Sequence, residues 1–279
     1  MRTVRATVGW AGAVLAITAF ALASCGGGGG GGGGVDEDAG GDAGRDASAA
    51  DASVRGDAGL DGALPDSGPD GGSTSAPTAS QLLARFARCT GDVIKGGFGL
   101  DGAGDIAMRT CGSAVVWQAD MDVDCDGTPT SPCDTDPTGQ PQTSIVDLAP
   151  DGDVDATVLP YFVIPLGLPE SPWYAAHGIE LGQVGAVIYH GEVRYGIFAD
   201  EAGGWFIGEA SYAMCQLFLG APTGGGDPCS PIDGGIDPAE VSYVTFTGPT
   251  ARATGRDIYE HARHVAIGEV SAASWLAEP

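Results

Sequence analysis

Two clusters of acids hold the residues of this sequence best suited to chemistry. In ADMDVDCDG, residues 119–127, Asp120, Asp122, Asp124 and Asp126 alternate with Met121, Val123 and Cys125. In YGIFADEAGGWFIGEASYAM, residues 195–214, Asp200 and Glu209 stand nine residues apart across a Gly203-Gly204 turn. Two carboxyls facing one cleft are what glycoside hydrolysis needs, one protonated to assist the leaving oxygen and one ionised to activate water or attack carbon. Phe206 and Ile207 beside Glu209 would raise its pKa by desolvation, whereas a helix start would lower it. Spacing alone does not separate this pair from acids that merely face solvent at a turn.

The aspartate row is open to more than one reading. Asp122, Asp124, Asp126 and Gly127 fit the first half of an EF-hand loop. The second half fails, because Cys133 occupies the position of the bidentate glutamate and no flanking helix pair is visible. Alternation with apolar residues predicts a strand instead, with the aspartates on one face and Met121, Val123 and Cys125 toward the core. Same-face carboxylates then lie roughly 7 Å apart and repel one another unless water or a cation intervenes. A solvated acidic edge, a bound metal and a surface for a cationic substrate all satisfy that condition.

The elements that must position these acids are mostly strands. AVVWQADMDVD, YFVIPLG, VGAVIYHG, EVRYGIFAD, GWFIGEA and EVSYVTFTG are short β-branched or aromatic runs bounded by Gly, Pro or Asp. His190-Gly191-Glu192 is a tight connection that predicts a hairpin. Ser80 is placed to cap a short helix through Leu82, Leu83 and Phe86. ASYAMCQLFLG predicts a helix ending at Gly220, and GRDIYEHARHVA another starting at Asp257. The expected fold is mainly β (α+β), one domain over 81–279 that is large enough for a solid core.

Upstream of that domain the chain changes character. Arg2 and Arg5 precede an apolar run from Val8 to Ala23, the layout of a secretory signal over 1–24. Residues 25–80 begin with Cys25 and nine glycines and continue as Asp, Ala, Gly and Ser, a composition that predicts a disordered tether. Leu22-Ala23-Ser24-Cys25 resembles a bacterial lipobox. That implies lipidation of Cys25 and attachment to the outer membrane or cell surface through acyl chains alone, or secretion if an ordinary peptidase cuts. Gly26 after the cysteine favours the outer membrane.

Of seven cysteines, six remain beyond Cys25. In an exported chain they imply disulfides, and proximity suggests Cys89–Cys111, Cys125–Cys133 and Cys215–Cys229. The absence of C-x-x-C spacing argues against zinc or redox roles. Net charge is −25, and from Gln81 onward twenty-seven acids face eight bases. Such a surface repels nucleic acid and attracts cations.

The stretches GLDGAGDIA, VWQADMDVDCDG, GQPQTS, YFVIPLG, GAVIYHGEVRYGIFAD, IGEASYAM and VSYVTFTG occur in an order that resembles the fungal-type chitosanases of glycoside hydrolase family 75. ADMDVDCDG and GEASYA are the specific ones. The resemblance implies a secreted endo-acting enzyme that cleaves β-1,4 bonds in chitosan with inversion and needs no metal or other cofactor. It assigns Asp200 and Glu209 as the two essential carboxylates, Glu209 favoured as acid and Asp200 as base, the reverse remaining open. Inversion would set the two carboxyls roughly 6.5–9.5 Å apart. Glu201, directly after Asp200, departs from the family's usual small polar residue there. Asp120, Asp122, Asp124 and Asp126 become candidates for binding a cationic polysaccharide, with Glu201 and Trp205 beside them. VIPLG followed by strand, turn and helix also resembles double-psi β-barrels, an analogy of fold alone.

Other residues read more plainly. His261 and His264 are expected as surface histidines, Cys215 as a disulfide partner, and Trp117, Trp173 and Tyr174 as core. The resemblance implies chitosan as the partner, and a monomer is expected. Two other functions fit less of it: hydrolysis of another amino-sugar polymer such as peptidoglycan, and a calcium-binding surface lipoprotein without catalysis.

Overall fold

The computed structural model describes residues 75–100 and 102–279. The signal, Cys25 and most of the expected tether lie outside the described residues. Among the described residues no helix is long and apolar enough to cross a membrane.

The elements run α1 (Ala79–Phe86), β1 (Val93–Gly99), β2 (Gly102–Cys111), β3 (Ala114–Asp124), β4 (Tyr161–Pro165), β5 (Val184–Tyr189), β6 (Glu192–Ala202), β7 (Glu209–Ser211), α2 (Tyr212–Leu219), β8 (Gly235–Phe246) and α3 (His261–Ala277). Six strands, in the order β3-β7-β4-β6-β5-β8, close on themselves through β3–β8 pairing. The β3–β7 and β4–β6 pairs are parallel and the remaining barrel pairs antiparallel. This is a mainly β, double-psi-like barrel carrying three helices. The β1–β2 hairpin continues the sheet from the start of β3.

Alternation along β3 builds two cores at once. Val115, Trp117, Ala119 and Met121 belong to the cluster that also holds Tyr161, Phe162, Phe198 and Tyr243. Trp117 stacks on Tyr243 with ring centroids 5.0 Å apart. Ala114 and Val116 point the other way, against Leu82 of α1 and Trp275 of α3. A strand buried on both faces reads as a continuous apolar run, which is why the first half of β3 shows no polar alternation.

Three disulfides brace this frame: Cys89–Cys111, Cys125–Cys133 and Cys215–Cys229. The expected β5–β6 hairpin forms, but its turn is only two residues, His190 at φ 46° and Gly191 at φ 82°, because Glu192 already pairs with Tyr189. Positive φ at both positions matches the twist of the flanking strands.

Several local expectations are corrected. The cap of α1 is Thr78, not Ser80, because Thr78 and Gln81 form a reciprocal capping box. α3 starts at His261, not Asp257. Residues 255–259 wind as a 3-10 turn, and Glu260 breaks the path with φ −106° and ψ 93°. The two histidines are not surface residues. His264 is fully buried with Nε2 against the Asp257 carbonyl, and burial pushes its pKa down to about 4, while His261 is half-buried on the Tyr195 carbonyl. Of GWFIGEA only Glu209 and Ala210 are strand, as the start of β7, since Gly204 and Phe206 make isolated bridges.

Candidate active site

Asp200 sits near the end of β6, where the ladder with β4 slips. Phe162 pairs with Phe198, but the next residue, Val163, pairs with Asp200, so Ala199 is bulged. The Ala199 carbonyl accepts from the Ile145 amide at 3.0 Å. That contact brings Ser144 onto the neighbouring carboxylate, and its amide (2.6 Å) and hydroxyl (2.8 Å) both donate to Asp200 Oδ1. A bulge that re-aims a side chain beside a site is a recurrent use of such irregularities.

Glu209 opens β7, which lies between β3 and β4. It is opposite Asp122 on β3, and its neighbour Ala210 is opposite Phe162 on β4. Gly208, with φ +111°, makes this approach possible. Its carbonyl accepts from the Asp122 amide at 2.7 Å, and a Cβ on it would lie 2.0 Å from Asp120 Oδ1. Asp200 and Glu209 thus flank β4 on its two sides. Two strand spacings separate their backbones, roughly 9.5 Å.

Both carboxyls are pushed up to about 7. For Asp200 the leading cause is burial, partly offset by the two Ser144 hydrogen bonds and reinforced by Asp126. For Glu209 burial leads again, followed by repulsion from Asp122, Asp200 and Asp126. No described residue donates a hydrogen bond to the Glu209 carboxylate, so nothing local favours its ionised form.

Below and beside the pair lie two further aspartates. Asp126 accepts from the Gln140 amide at 2.6 Å, and its own amide donates to Asp124 Oδ1 at 2.8 Å. Burial raises both pKa values, Asp124 the more, with Asp200 and Asp126 adding to it. The Tyr161 hydroxyl donates to the Asp126 carbonyl at 2.9 Å and the Tyr243 hydroxyl to the Asp120 carbonyl at 2.8 Å. Asp124, Asp126 and Asp200 each bring one oxygen to within 4.8 Å of the others, close enough that a cation among them, or protonation of one, relieves their repulsion.

The carboxylates open into a cleft of about 200 Å³ whose walls include Asp136, Gln140, Glu201 and Phe206. Its described lining holds no Lys, Arg or His. The Cys125–Cys133 bridge staples the loop that carries Asp126 and leads into Asp136 and Gln140. A roomier hollow, about 510 Å³, lies between α1 and the C-terminus, but its one acid, Glu278, is ion-paired with Arg85. We place the site at the smaller, acidic cleft.

The family described as fungal chitosanase of glycosyl hydrolase group 75 matches residues 121–266. The chain belongs to glycosyl hydrolase group 75. It is 34% identical over 161 residues to an endo-chitosanase of Aspergillus fumigatus, covering 53% of this chain and 62% of that protein. It is 38% identical over 139 residues to endo-chitosanase B of Aspergillus oryzae, covering 47% and 55%. The chain therefore spans little more than half the length of these relatives.

Within this group 75 domain the sequence-predicted residues separate. Asp124, Asp126, Asp200, Glu201 and Glu209 line one cleft. Asp120 is only 5% exposed and lies against Gly208, behind the cleft. Asp122 is exposed beside Glu209 but outside the lining. Trp205 is turned away, its ring 5.7 Å from Phe98 and 5.4 Å from the Lys95 ammonium. Its neighbour Phe206, 48% exposed, takes the place in the cleft wall. Tyr174, expected as core, is buried and donates its hydroxyl to Glu201. Ser144, Gln140, Asp136 and Phe206 were not singled out from the sequence. Two of them had a signal, since GQPQTS contains both Gln140 and Ser144.

Proposed function

We propose that this protein is an endo-acting chitosanase that hydrolyses β-1,4-glycosidic bonds with inversion, Glu209 serving as general acid and Asp200 as general base. The observation that carries the reading is the unequal hydrogen bonding of two buried carboxyls flanking one strand in a cleft lined by acids. Two donors from Ser144 favour ionised Asp200, whereas Glu209 has none and faces three acids, which favours its protonated form. Inversion is what the family resemblance implies, with a water standing between the base and the anomeric carbon.

In this mechanism Glu209 donates its proton to the glycosidic oxygen as the C1–O bond breaks. Asp200 accepts a proton from the water whose oxygen forms the new bond to C1 from the opposite face. Afterwards Glu209 is ionised and Asp200 protonated, and exchange with solvent resets both. An acidic lining without a fixed cation suits glucosamine units that carry ammonium groups. The three disulfides fit an oxidising compartment, and export with lipid anchoring at Cys25 and action as a monomer belong to the same proposal.

The test is reducing-end release by the full chain from highly deacetylated chitosan, chitin and peptidoglycan, with Glu209→Gln and Asp200→Asn as controls. Release from chitosan that falls at least a thousandfold in both variants, with the α-anomer appearing first by proton NMR, is the expected result. Full activity in either variant, or a β-anomer first, would overturn the assigned roles. Release from peptidoglycan alone would move the substrate to another amino-sugar polymer.

A further inference from the structure

Three acids with oxygens within 4.8 Å of one another do not share the same surroundings. Asp200 Oδ1 receives two donors from Ser144, and Asp126 receives the Gln140 amide. Asp124 accepts the Asp126 amide on Oδ1, while its Oδ2 is buried without a hydrogen bond, the nearby Tyr161 hydroxyl being turned to the Asp126 carbonyl. A buried ionised oxygen without a donor is the costliest of these arrangements, and protonation removes the cost. It also supplies an O–H with carboxylate acceptors at hand.

We propose that Asp124 is the proton-bearing member of this group, a neutral carboxylic acid that positions and steadies ionised Asp200 and does not bind substrate ammonium. The inference rests on Asp200 acting as base. The titratable groups that face Asp124 are Asp126 from the following turn, Asp200 from β6, Glu209 from β7 and Tyr161 from β4. None of them supplies a positive charge. Burial and the first three acids push Asp124 up and outweigh the Asp126 amide and the Tyr161 hydroxyl, which favour its ionised form. Asp124 is thus a positioning residue, although its place on an acidic strand makes it look like a subsite for cations.

The experiment is carbon NMR of the full chain labelled at aspartate carboxyls, titrated from pH 3 to 9, with the Asp124 signal identified by its loss in Asp124→Asn. The expected result is a signal that stays in its protonated position after the exposed aspartates have ionised. In Asp124→Asn the amide N–H replaces the O–H, so the acid limb of the activity profile should hold its position. Asp124→Ala loses that donor, and its turnover should fall a further ten- to hundredfold below that of Asp124→Asn. A signal titrating together with the exposed aspartates overturns the inference. So does an acid limb displaced downward by roughly one pH unit in Asp124→Asn, the mark of a lost neighbouring charge. Calcium binding to the wild type that is abolished in Asp124→Asn would put a cation where we place the proton, and would also refute it. The NMR titration needs no substrate, so it decides the point even if chitosan is not hydrolysed.

Discussion

Replacing Glu209 by glutamine should stabilise the protein in alkali and leave it unchanged in acid. The carboxyl stands at about 7 in the folded protein against an ordinary 4.5, mainly through burial. A group whose pKa is raised by folding binds its proton more tightly in the native state. Its contribution is therefore intact below pH 4.5, is lost as pH rises toward 7, and is gone above that. The difference corresponds to about 3 kcal/mol of destabilisation at pH 8, an upper value for a cluster that can admit water. Glutamine carries no charge to bury at either pH. For a domain of this size each kcal/mol moves Tm by about 2–4 °C, so Glu209→Gln should melt up to about 10 °C higher than wild type at pH 8 and within a degree or so at pH 5. Thermal unfolding followed by circular dichroism at the two pH values reads this directly. Equal melting temperatures for variant and wild type at pH 8 would refute the claim that burial and neighbouring acids hold Glu209 protonated.

Other expectations concern the supports of the site. Ser144→Ala removes one of the two donors on Asp200 Oδ1, so the Asp200 pKa rises and the acid limb of the pH–rate profile should move up by roughly one unit. Gly208→Ala places a Cβ 2.0 Å from Asp120 Oδ1 at a backbone φ of +111°, and should cost several kcal/mol, on the order of 3, seen as a lower denaturation midpoint. The paired substitution Cys125→Ser with Cys133→Ser opens a closure of 8 residues and should cost roughly 2–3 kcal/mol. Its loss of activity should exceed that of opening Cys89–Cys111, because the Cys125–Cys133 loop carries Asp126. The KM for chitosan should rise with ionic strength, since an acidic cleft attracts a polycation through a screened field; a flat salt profile would argue against electrostatic capture.

What was legible in the sequence follows from how locally each feature is determined. β3 runs from Ala114 to Asp124, as its apolar run and aspartates suggest, and β5 and β6 are marked by the His190-Gly191 turn. Pairing each cysteine with its neighbour gives the three bridges of the structure. The β1–β2 hairpin was hidden because VIKGGFGL and GAGDIAMRTC are too rich in glycine to look like strands, and they pair only because β3 offers an edge. The bulge at Ala199 leaves no local mark, and Ser144 is distant from Asp200 in sequence, so the support of the base could not be seen. Trp205 looked like a sugar platform by residue type. Its direction is set by Phe98, Gly97 and Lys95 on β1, and Phe206 is left facing the cleft.

The placement of Asp200 and Glu209 on the two strands that flank β4 also bears on how such a protein can change. The gap between their backbones is a calliper whose jaws are hydrogen-bond ladders in a closed ring, and a closed ring has no free edge by which to spread. The loop that joins them, with Gly203, Gly204, Trp205 and Phe206, hangs outside those ladders and contributes only isolated bridges. Residues there can be exchanged, inserted or removed to suit a different sugar or a different pattern of acetylation, while the setting of the jaws is preserved.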